Sequence, residues 1–104
     1  MAERRAAPRH ALVLSADITV VDSGARASAR TADICQNGCY IDTLNPLPPG
    51  TYLQLRVTRG SEAFETHARV VYQAPGLGMG VAFFNVHPAQ QCILDRWLVG
   101  APVA

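Results

Sequence analysis

The sequence predicts an all-β fold, a six-stranded antiparallel barrel with a C-terminal α-helix. Three observations predict it. Apolar and polar residues alternate with a period of two in several short segments. Turn residues separate those segments at regular intervals. The periodicity changes near Pro88 to helical spacing. A chain of 104 residues fits one domain with one core. Hydrophobic residues make up 49% of it and charged ones 16%, a globular balance rather than a disordered one.

From His10 to Val21, Leu12, Leu14, Ala16, Ile18 and Val20 share one face, and Ser15, Asp17 and Thr19 the other. That reads as a half-buried strand. Residues 22–24, Asp-Ser-Gly, supply a turn. In 25–34, Arg26, Ser28 and Arg30 would share the solvated face of a second strand. Asn37-Gly38 signals a hairpin, because both residues tolerate positive φ. Cys39, Tyr40 and Ile41 begin a third strand, with Cys39 expected in the core. The prolines of 45–50 cannot donate to a ladder and mark a loop.

Leu53, Leu55 and Val57 alternate with polar residues in a fourth strand. Phe64, Ala68, Val70 and Tyr72 share one parity of a fifth, interrupted by Thr66. Residues 79–86 read as a sixth. Pro88 suits the first turn of a helix, with His87 in its cap region. Ala89, Ile93, Leu94, Trp97 and Leu98 then form its apolar face, and Cys92 lies near the core edge. Gly100 and Pro102 end it. Three units result: an exposed, flexible N-terminal arm over 1–9, the barrel with its helix over 10–100, and a tail over 101–104.

Composition narrows the function classes. A formal net charge of +1 argues against duplex DNA binding. The apolar runs are too short for a membrane span, and the start lacks a signal-peptide pattern, which predicts a cytoplasmic protein. Three cysteines are an odd count for a disulfide scaffold and read as reduced thiols. Cys35, Cys39, Cys92, His10, His67 and His87 lack the paired spacing of a structural zinc site, so no metal is expected. No histidine has an evident catalytic partner, so no enzyme is expected either.

All nine basic residues are arginine, the planar cation that matches phosphates and guanine edges. Arg4, Arg5 and Arg9 cluster on the arm, where Pro8 disfavours a regular helix. They form either a solvated terminus or an anion and guanine clamp. Asp33 either caps the following turn or accepts from paired donors. Gly38 either makes the turn or lets backbone approach a ligand.

Together these elements resemble the PilZ domain, the bacterial receptor module for cyclic di-GMP. Arg5-Ala6-Ala7-Pro8-Arg9 matches its RxxxR signature in full. Asp33-Ile34-Cys35-Gln36-Asn37-Gly38 matches its [D/N]xSxxG signature except at Cys35. Residues 76–84 are similar to the family's closing strand. The resemblance implies that Arg5 and Arg9 bind guanine and phosphate, that Asp33 reads guanine, and that Gly38 shapes the loop. It implies that Arg4, immediately before RxxxR, goes with capture of an intercalated ligand dimer. A thiol is a weaker donor than the motif hydroxyl, so Cys35 is expected to weaken binding by about one to two decades. An unidentified effector protein would read the ligand-driven change of the arm. The alternatives are a PilZ-like adaptor that has lost the nucleotide, and a barrel that binds single-stranded RNA. The latter would need exposed stacking aromatics, whereas Phe64, Trp97 and Phe83 or Phe84 read as core, with Tyr40 and Tyr72 ambiguous.

Overall fold

The computed structural model describes residues 8–103. Its strands are β1 (His10–Ala11), β2 (Ser15–Val20), β3 (Arg26–Ile34), β4 (Gly38–Asp42), β5 (Tyr52–Arg59), β6 (Glu62–Ala74) and β7 (Gly78–Phe84), followed by α1 (Pro88–Leu98). All strand pairings are antiparallel, in the order β1-β3-β2-β5-β6-β7-β4. β3 also pairs with β4 through Arg30–Asp42 to Ile34–Cys39. That contact closes β2 to β7 into the expected six-stranded barrel, with no unpaired edge along most of its wall.

The first predicted strand is broken in two, and a buried threonine explains the break. Thr31 of β3 is fully buried. Its hydroxyl donates to the Leu12 carbonyl at 2.6 Å and accepts from the Leu14 amide at 3.0 Å. Its own amide donates to the Leu14 carbonyl. The side chain thus replaces ladder bonds and interrupts β1 and β2 at residues 12–14. A bulge between Thr31 and Asp33 accompanies this on the β4 side. A threonine in an alternating strand gives no sign that its hydroxyl will turn inward.

Inside the barrel, the alternation is as expected. Ala16, Ile18, Leu53, Leu55 and Val57 are buried, while Asp17, Gln54 and Arg56 face solvent. The parity of β6 holds through Thr66 and Val70, which are both buried. It then fails: a bulge between Val70 and Tyr72 turns Val71 and Tyr72 outward. Tyr72 therefore leaves the face predicted for it.

The helix begins as expected. Pro88 occupies its first turn, and the N-cap His87 accepts from the Ala89 amide at Nδ1, 3.1 Å away. Leu94, Trp97 and Leu98 join the same core cluster as the barrel interior, and Trp97 meets Phe64 edge-on. Glu62 secures the helix by accepting from Trp97 Nε1 at 2.9 Å and from Arg96 at 2.6 Å. Cys39 is buried as predicted, but Cys92 is exposed, because its position on the helix faces away from the barrel. No helix among the described residues is long and apolar enough to cross a membrane.

Candidate functional site

The two halves of the sequence signature meet at the C-terminal end of β3. β1 pairs there in the register His10–Ile34 and Ala11–Asp33, which brings Arg9 alongside Asp33. Arg9 Nε lies 3.3 Å from Asp33 Oδ1, with both side chains partly exposed. Arg4 and Arg5 lie outside the described residues, as does most of the predicted arm. Partial burial works against the charge on Arg9. The Tyr72 hydroxyl and the Asp33 carboxylate outweigh it and hold the guanidinium above its ordinary value.

The loop after Asp33 is built differently from its prediction. Neither Asn37 nor Gly38 has a positive φ. Instead Cys35 and Gly38 form the turn, with the Cys35 amide donating to the Gly38 carbonyl at 2.9 Å. The Asn37 amide donates to Cys35 Sγ at 3.4 Å, so the sulfur caps the turn as a hydroxyl would. The Asn37 carbonyl accepts from Phe83 of β7 and fixes the loop to the barrel. Gly38 is required for packing: a Cβ there would stand 2.1 Å from the Val81 carbonyl oxygen. Its glycine serves the approach of β4 to β7, not a left-handed turn.

Tyr72 completes the site with Tyr40 behind it, and the sequence reading assigned neither to it. Tyr72, Gly80 and Tyr40 face one another across β6, β7 and β4. The tyrosine rings lie 6.2 Å apart with a tilt of 31°. Each occupies space that a glycine leaves vacant. A Cβ on Gly80 would meet the Tyr72 ring at 2.2 Å, and one on Gly78 would meet the Tyr40 hydroxyl at 2.7 Å. Gly78 and Gly80 are thus seats for aromatic rings, while Gly76 turns the chain at φ 74°. That pairing was the available signal; the bulge that turns Tyr72 outward was not.

Arg9, Asp33, Cys35, Gly38, Tyr72 and Gly80 line one open pocket of about 200 Å³. It offers a guanidinium, a carboxylate acceptor, a thiol and an aromatic face. Burial, with the fields of Asp33 and Cys35 adding, pushes the neighbouring Cys39 thiol far above its ordinary value. Cys39 is therefore a small core residue with no thiolate to offer. Among the described residues, no cluster of three metal-ligating side chains occurs. A second, larger hollow of about 680 Å³ lies on the outer face of β2, β5 and β6.

Comparison with known proteins agrees with the fold. Residues 3–100 match the family model of the PilZ domain. A search of curated proteins gave no match. Among solved structures, the PilZ domain of YcgR from Escherichia coli, determined with cyclic di-GMP, is similar at a TM-score of 0.77 and 18% identity, over 95% of this chain and 92% of that one. The inhibitor of motility MotI from Bacillus subtilis is similar at 0.76 and 18% identity, over 94% of this chain. This chain spans 51% of that protein's length. The PilZ domain of CeSA from a cellulose-synthesizing bacterium is similar at 0.69 and 18% identity, over 88% of this chain and 95% of that one.

Proposed function

Because the chain belongs to the PilZ domain family, we propose that it is a non-catalytic receptor for cyclic di-GMP that relays the ligand to a partner protein. The observation that carries this reading is the 3.3 Å meeting of Arg9 and Asp33 over a pocket walled by Tyr72. The likeness to the YcgR domain determined with cyclic di-GMP supports it.

Each side chain has a chemical role in this reading. Asp33 accepts from the N1–H and N2–H₂ donors of guanine. Arg9 turns its fork to phosphate or to guanine O6 and N7. The Tyr72 ring stacks on a purine. Arg5 supplies the second guanidinium of the signature, and Arg4 a third that suits an intercalated ligand dimer. The partly exposed Arg9–Asp33 pair, met through a single Nε contact, contributes on the order of 1 kcal/mol, so a phosphate can compete for the guanidinium. Cys35 is the weak element: its sulfur accepts from the Asn37 amide as a hydroxyl would, but its S–H is a poor donor to phosphate.

The relay has two physical routes out of the site. Gln36, inside the motif loop, donates to Asp95 of α1 at 3.0 Å. On the other side, the Ala11 amide donates to the Pro102 carbonyl, and His10 Nδ1 lies 3.2 Å from the Ala101 carbonyl oxygen. Ligand that draws the 1–9 arm onto the pocket therefore pulls on α1 and on the segment after it, where a partner reads the change. The presence of Cys35 favours one competing reading, an adaptor that works without nucleotide. Titration with cyclic di-GMP decides between them: saturable binding that Arg5→Ala abolishes supports the receptor, and no binding supports the adaptor.

A further inference from the structure

Phe84 is not a core residue. Phe83 packs on Phe64 inside the barrel, and Phe84 points outward. There it meets Tyr52 edge-on, with ring centroids 5.6 Å apart. The Tyr52 ring on β5 and the Phe84 ring on β7 thus reach toward each other over β6. His67 of β6 lies 5.7 Å from Phe84 at a tilt of 35°, and Arg69 is the direct cross-strand partner of Tyr52. Three adjacent strands therefore present three rings on one outer face. Tyr52 remains 51% exposed, so its ring does more than cover the sheet beneath it.

This platform adjoins the larger hollow, and His67 belongs to both. Its roughly 680 Å³ falls within the range of about 300–1,000 Å³ that holds a drug-sized ligand. Arg26 and Arg56 line it, together with the hydroxyl and amide groups of Thr19, Gln54 and Asn85. Glu65 is paired with Arg56 at 2.8 Å, and Asp17 accepts from the neutral Ser28 hydroxyl at 3.2 Å, so the two carboxylates of the hollow balance its two arginines. Asn85 closes one end in a left-handed conformation, φ 53°. No residue lines both this hollow and the Arg9–Asp33 pocket.

We propose that this face is a second binding site, for a short single-stranded nucleic acid whose bases stack on Tyr52, His67 and Phe84. Stacking on sheet aromatics is how single strands are held without base pairing. Arg69 beside the Tyr52 ring and Arg26 at the far side of the hollow stand at positions that suit phosphates, while Gln54 and Asn85 offer paired donors and acceptors to base edges. This face needs no contribution from the cyclic di-GMP site, and it stands whether or not that site binds.

The test is fluorescence anisotropy with labelled octa-uridylate and octa-thymidylate on the full chain at low salt, with amide NMR mapping of the unlabelled oligonucleotides. The expected result is binding with shifts at Gln54, His67, Arg69, Phe84 and Asn85. Tyr52→Ala should weaken it about tenfold or more, and Arg69→Ala should lower the salt slope by about 1. Preference for either oligonucleotide identifies the source as RNA or DNA. Saturating cyclic di-GMP should not displace the strand. No binding at about 100 μM protein, the weak end of non-specific affinity, would overturn the proposal. So would equal binding by Tyr52→Ala and Arg69→Ala, or shifts confined to residues 33–39.

Discussion

Gln36 and Asp95, 59 positions apart, join the ligand-motif loop to the C-terminal helix through one hydrogen bond of 3.0 Å. Asp95 also accepts from Gln91 at 2.9 Å, so the carboxylate is held in place on the helix. If the relay runs through this contact, Gln36→Ala should bind cyclic di-GMP within a fewfold of wild type, because Gln36 does not line the pocket. The ligand-induced change in hydrogen exchange over residues 88–98 should shrink. An unchanged exchange response in Gln36→Ala would remove this route.

Cys35→Ser should tighten cyclic di-GMP binding about ten- to a hundredfold. A hydroxyl caps the turn as the sulfur does and adds a competent donor to phosphate, worth about 1.5–3 kcal/mol with a charged acceptor. Calorimetry on the two proteins measures it. Equal or weaker binding by the serine variant would show that Cys35 is no handicap.

Gly38→Ala should destabilise the fold rather than the ligand contact alone. The added Cβ would sit 2.1 Å from the Val81 carbonyl oxygen, and backbone cannot yield as a side chain does. A cost of about 1–3 kcal/mol is expected, seen as a lower Tm and as weakened β4–β7 pairing. An unaltered Tm with lost binding would instead assign Gly38 to the ligand.

The stability of the helix attachment should depend on acid pH. Hydrogen bonds from Arg96 and Trp97 hold the Glu62 carboxyl below its ordinary range. A carboxyl depressed in the folded state stabilises above its unfolded value of about 4.3 and loses that contribution as pH falls through the folded value. Urea midpoints of wild type should therefore fall more steeply below about pH 4.3 than those of Glu62→Gln. Parallel pH curves for the two would refute the linkage.

Much of this molecule was readable in its sequence because period-two alternation reports burial directly. Leu53, Leu55 and Val57 needed no tertiary information, and neither did the start of α1 at Pro88. One exception lies at a bulge: where two strands stop matching residue for residue, parity no longer predicts direction. The bulge before Tyr72 turned a residue of the core-facing parity, left ambiguous by the sequence, into the site. The inward hydroxyl of Thr31 divided one strand into two. Gly38 suggested a turn, but Gly38, Gly78 and Gly80 mark close approach of backbone or ring, which depends on partners distant in sequence. Arg9 and Asp33 were identified as a pair by resemblance; their contact required the β1–β3 register, which the sequence did not reveal.

The central claim is tested most directly by calorimetric titration of cyclic di-GMP into wild type, Arg9→Ala and Asp33→Ala. Wild type should bind saturably, with two ligand molecules per chain if Arg4 supports an intercalated dimer. Each substitution should weaken binding at least tenfold while leaving the Tm within a few degrees. Absence of heat from wild type, or equal affinity in all three proteins, would contradict a receptor built on the Arg9–Asp33 pair.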